Sequence, residues 1–250
     1  MARQFFLKEI RGFFRDTSQW TQLLLLLALI VVYLFNFKAL DLDRFAGITW
    51  NLRNTLAYVN LGLAGFVLSA ICVRFVLPAV SLEGKAFWIV RSAPVSIKQF
   101  MWTKFRFYAL PVVVVSEMLI LMSNFYLGSS FFMTAVCAWV MGMLSVGITG
   151  LAVGIGAMYP NFEEKNVARM ASGVSSIIYM SISAGLIVAV VGTMAYPVKL
   201  LQRMMRTGSP LVGAQWAIVG LSIVIVLSMI AASVLYPMRK GIESLDQREL

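Results

Sequence analysis

Few residues of this chain are of types that do chemistry, and they fall in three places. Glu117 stands alone as an acidic residue well inside a long apolar run, ten residues after Phe107. A charge at that depth of a bilayer costs at least about 2.5 kcal/mol, so the residue must face protein or water, or carry a proton. It therefore reads either as part of a substrate path or proton site, or as one end of a helix-to-helix hydrogen bond. Ser172, Ser176, Tyr179 and Ser183 follow one another at steps of four, three and four. That spacing puts four hydroxyls on one helical face, where they either bond a neighbouring helix or line a polar conduit. The third place is SLEGKAFWIVRSAP, Ser81 to Pro94, in which Glu83, Lys85 and Arg91 surround the apolar run Phe87, Trp88, Ile89 and Val90.

The chemistry that is missing narrows the function further. Without a single histidine, neither a Ser-His dyad nor an H-E-x-x-H metal site can be assembled. Cys72 and Cys137 both lie in apolar runs and make no disulfide framework or Cys/His metal site. The phosphate loop G-x-x-x-x-G-K-[ST] is not met, since Ala86 follows Gly84 and Lys85, and Ala79 stands where the first glycine belongs. The expectation is a chain that is not an enzyme, with no catalytic residue and no metal or cofactor site. Any ATP hydrolysis would belong to another polypeptide.

The elements that carry these residues are membrane helices. Of 250 residues, 60% are hydrophobic and 13% charged, against about 45–50% and about 25% in soluble domains. Six segments have the length and apolarity to cross a bilayer, which needs about 20 helical residues. They run from Trp20 to Phe37, Leu56 to Val73, Phe107 to Met122, Phe131 to Met158, Gly173 to Tyr196 and Val212 to Tyr236. The third is short unless it extends through Asn124 to Tyr126. The first is longer than the roughly 7–15 residues of a secretory h-region and lacks an A-x-A-like site after it, so it reads as a retained span. Ahead of it, Phe5, Phe6, Ile10, Phe13 and Phe14 alternate with Lys8, Arg11 and Arg15 at helical spacing, the pattern of a helix lying in the head-group plane. The expected fold is all-α: a polytopic protein of six transmembrane helices plus this amino-terminal amphipathic helix, forming one transmembrane domain.

Lysine and arginine orient it. With the amino terminus inside, the inner segments hold fifteen of them and the outer loops six. The positive-inside rule then places both termini in the cytoplasm. The net charge of +10 is absorbed by this topology and by anionic head groups, and no nucleic-acid partner is expected. The longest inner connection, Arg74 to Arg106, has mixed apolar and basic residues rather than a Gly/Ser composition. Pro78 and Pro94 bracket one short helix there, and Val95 to Lys104 reads as another whose basic face looks at water. An ordered inner loop is a docking surface, unless its charges only fix topology. In the fourth span, Gly147, Gly150 and Gly154 suit close packing of two helices. Outside, the stretch from Tyr196 mixes apolar and basic residues and reads as a short interfacial helix over 196–211.

Three stretches carry a family resemblance. FFRDTSQWTQLLLL at the first span, RFVLPAVSLEGKAFWIVRSAPVS after the second, and GLAVGIGAMYPNFEEKNVARMASG across the fourth and fifth resemble the membrane permeases of type-2 ATP-binding cassette (ABC) exporters. The resemblance covers most of the chain and is closest to a group often double this length, with the pattern in the carboxyl-terminal half. It implies a half-transporter: residues 1–18 would hold the connecting helix, and 81–104 the coupling loop that sits in a groove of the ATPase. Within that loop Phe87, Trp88 and Ile89 would anchor, while Ser81, Glu83, Lys85, Arg91 and Lys98 set register. It also implies a separate ATPase subunit holding ATP and Mg, and a second transmembrane half, of the same or a related type. A chain of half length is then a natural half that pairs or a part of a longer permease. A non-transporting membrane scaffold is the alternative that the residues leave open.

Overall fold

The computed structural model describes residues 24, 27–36, 50–86, 96–162, 169, 173–208 and 212–247. Among them the architecture is entirely helical. A short apolar helix α1 (Leu27–Asn36) precedes α2 (Trp50–Phe75), α3 (Ile97–Leu127), α4 (Phe131–Met158), α5 (Val174–Thr207) and α6 (Gly213–Gln247). Two 3-10 turns, Leu77–Ala79 and Ser81–Ala86, follow α2. The five helices α2 to α6 are long and apolar enough to cross a membrane. Of the expected first span, Trp20 to Phe37, the described residues are Leu24 and the ten of α1, so among the described residues five spans stand where six are expected. The amphipathic helix expected over 1–18 lies outside the described residues.

Local chemistry sets where helices start and stop. Ser96 caps α3 by accepting the Gln99 N–H, and Ser130 caps α4 by accepting that of Met133. Between them, α3 ends at Gly128 in the left-handed conformation (φ 62°). The Gly128 N–H bonds the Phe125 carbonyl and the Ser129 N–H that of Asn124. This closes α3 and opens α4 within three residues, which makes the two helices antiparallel neighbours.

Two helices outrun the spans read from apolarity. The fifth and sixth spans are expected to end at Tyr196 and Tyr236, and α5 runs on through Pro197 to Thr207 and α6 through Pro237 to Gln247. Residues 196–207 are thus the continuous end of α5 and not a helix of their own, and 209–211 lie outside the described residues. Neighbouring helices hold the chain where the proline removes a hydrogen bond. Likewise α3 begins at Ile97, so the separate helix expected over Val95 to Lys104 is its first two turns.

The bundle is built around α4. Every residue from Gly147 to Ala157 is buried, enclosed by α2, α3, α5 and most extensively α6. The seam with α6 is made of small residues. A Cβ added at Gly147 would lie 2.8 Å from Ser233 Oγ, at Gly150 2.7 Å from Val234 Cγ2, and at Gly154 2.5 Å from the Pro237 backbone. The three glycines expected to pack helices therefore do so, bringing two backbones into contact.

Candidate functional site

One end of the bundle carries the described part of the charged stretch, beginning at Ser81, on a platform. After α2 the chain turns through 76–86 and passes under α4. Gly156 faces the Leu77 carbonyl so closely that a Cβ would collide with it. Ser81 is buried and its Oγ accepts the Asn161 N–H at 3.1 Å. On the far side of the turn, Glu83 Oε1 meets Lys104 Nζ at 2.6 Å, with the two side chains only 8% and 5% exposed. The Lys104 ammonium also stands 5.5 Å from the centre of the Phe100 ring, inside the range of a cation–π contact. Gly84 then takes φ 53° and ψ −140°, a combination that a side chain would strain. A cavity of about 210 Å³, lined by Leu77, Pro78, Ser81, Gly156 and Tyr159 among others, borders the turn.

This geometry corrects one expectation. Lys104 does not look at water: its side chain is 5% exposed, and its ammonium meets the Glu83 carboxylate and the Phe100 ring. Lys98 alone of the described coupling residues is exposed. The Lys85 side chain, Phe87, Trp88 and Arg91 lie outside the described residues. Lys104 and Asn161 were missed as partners because each is separated in sequence from the residue it meets, Glu83 and Ser81, and nothing in the spacing announces the pairing.

The two intramembrane sets also find their places. Ser176, Tyr179 and Ser183 are buried, and Ser172 lies outside the described residues. Ser183 Oγ is 2.6 Å from Ser69 Oγ of α2. The Tyr179 hydroxyl is enclosed without a geometrically sound hydrogen bond, beside Ser69, Cys72 and Ser183. The stripe thus faces another helix. Glu117 is half-buried on α3 and its carboxylate lies over Gly142 of α4, where a Cβ would come within 3.0 Å of Oε1. Glu117 is not brought together with the serine stripe by any contact described here.

A further polar chain runs towards the other end of the bundle. Tyr33 Oη donates to Asn60 Oδ1 at 2.6 Å, and Asn60 Nδ2 donates to Ser123 Oγ at 2.7 Å, linking α1, α2 and α3. The signal for it was present: an asparagine within an apolar span carries the same cost argument that singled out Glu117.

Over its whole length, residues 1–250, the sequence matches the family described as "Putative ATP-binding cassette". The chain belongs to that family. No curated protein and no solved structure matches it. As an ABC-related multi-pass membrane chain, it concentrates its buried charge at the platform and its polar hydrogen bonds within the bundle.

Proposed function

We propose that this chain is the transmembrane permease subunit of a type-2 ABC exporter, moving a hydrophobic or amphipathic substrate outward. The observation that carries the reading is the platform. A membrane-embedded bundle has no need of a turn wedged under its central helix and pinned by a buried ion pair, unless that end receives a load. In an ABC-related family, for a chain without the phosphate loop, the load is supplied by a separate ATPase subunit that binds ATP and Mg. The chain itself is then a lever rather than a hydrolase. Rigid elements passing a displacement to the spans is the physical form such coupling takes.

On this reading the platform and both termini are cytoplasmic, as the distribution of lysine and arginine supports, and the membrane is the inner one. A second transmembrane half, of the same or a related type, completes the path. Tyr179 and Ser183 serve helix packing, because they are turned toward α2. Glu117 remains the candidate for the path.

The test is recovery of the chain from its native membrane in mild detergent, with mass spectrometry of what accompanies it and an ATP-turnover assay. A stoichiometric ATPase subunit is expected, lost when Ser81 to Pro94 is replaced by a Gly/Ser linker. A chain recovered alone, or with unrelated partners, from a preparation that keeps other complexes intact would favour the scaffold instead.

A further inference from the structure

We propose that Glu83 and Lys104 form a clamp that makes the turn after α2 and the first turns of α3 move as one body, with the charge of the pair and not its volume as the working feature. The proposal rests on the coupling role given to this end of the bundle.

Taking two charges out of water is costly, and an apolar pair of similar size would hold the same elements without that cost. Stability is therefore a poor account of an ion pair that is more than nine-tenths buried. What an ion pair adds is a penalty for parting. At the 2.6 Å setting each charge is compensated, and a displacement that separates them leaves both buried and uncompensated, whereas apolar surfaces slide at smaller cost. The backbone is shaped to that setting. Immediately after Glu83, Gly84 bends the chain through a conformation open to glycine, and Phe100, one turn before Lys104 on α3, flanks the ammonium.

The turn has a second attachment of a different kind. On its α4 side it is held by the hydrogen bond from Asn161 N–H to Ser81 Oγ and by the Leu77 carbonyl against Gly156. Those contacts are neutral. The α3 side holds the only ion pair found at the turn among the described residues. Among the described residues, a displacement arriving at this end thus meets a charge contact toward α3 and a neutral hydrogen bond toward α4.

Four full-length chains test the clamp: wild type, Glu83→Gln, the apolar pair Glu83→Met with Lys104→Met, and the exchanged pair Glu83→Lys with Lys104→Glu. In nanodiscs, amide hydrogen exchange over 81–86 and 96–104 is followed on the chain alone, and ATP turnover is measured in the complex with the ATPase subunit that accompanies it. Glu83→Gln is expected to speed exchange about a hundredfold, the consequence of removing one charge from a buried pair, and to lower turnover several-fold. The apolar pair should recover protection but not turnover, and the exchanged pair should recover both. Wild-type turnover in the apolar pair, with turnover lowered in Glu83→Gln, would reduce the contact to packing and overturn the proposal, as would unchanged exchange in Glu83→Gln. Exchange that responds as expected while turnover is equal in all four chains would leave the clamp standing mechanically and overturn the coupling role instead.

Discussion

Two helix contacts in this bundle are built on opposite principles. Where α4 meets α6, glycines let backbones touch, and Gly150 and Gly154 face Val234 and Pro237 with no room for a methyl group. Where α2 meets α5, side chains do the joining: Ser69 and Ser183 share a hydrogen bond, and Tyr58 Oη donates to the Val191 carbonyl at 2.5 Å. The first contact is steric and has one solution. The second is made of hydroxyls, which can rotate to new partners. The difference makes α4–α6 a steric spine and α2–α5 a joint of side chains.

The harshest way to break the comparison is Gly154→Leu. Its side chain would start 2.5 Å from the Pro237 backbone, so a loss of more than about 3 kcal/mol is expected, read as failure to recover a monodisperse chain in detergent. Gly150→Ala asks less. A single methyl 2.7 Å from Val234 Cγ2 and 2.9 Å from its Cα should cost about 1–3 kcal/mol in an unfolding titration from bicelles. At the joint, Ser183→Ala removes the 2.6 Å bond to Ser69 and should cost only about 0.6 kcal/mol, the usual worth of such a bond between membrane helices. A loss at Ser183 equal to that at Gly150 would erase the distinction between spine and joint. The mildest change is Gly192→Ala on α5, where nothing lies within 4 Å of an added Cβ. The same titration should shift by no more than about 0.5 kcal/mol, and toward greater stability, since alanine is the better helix former.

Apolarity marked the reach of the fifth and sixth spans but not that of their helices. Past Tyr196 and Tyr236 both helices continue through a proline for about three further turns. Pro237 is buried against Gly154, so α6 passes its proline at the tightest point of the spine. The fourth span, free of proline and framed by Ser130 and Tyr159, has the bounds expected of it. The glycine spacing in α4 was legible because only small residues permit that approach. The pairing of Glu83 with Lys104 was not, because two charges 21 positions apart in sequence carry no periodicity that joins them.

The sequence by itself determined that this is a helical membrane chain and where its last three spans begin. Which face of each helix turns inward was decided only by the tertiary structure. In water an apolar stripe marks the buried side of a helix, but lipid is as apolar as a protein core. Accordingly Phe131, 90% exposed, and Met133, 1% exposed, sit two residues apart on α4 with nothing in their hydrophobicity to distinguish them. Glycine, hydroxyl and charge were the residues that retained a direction, and their partners became known only when the helices were packed.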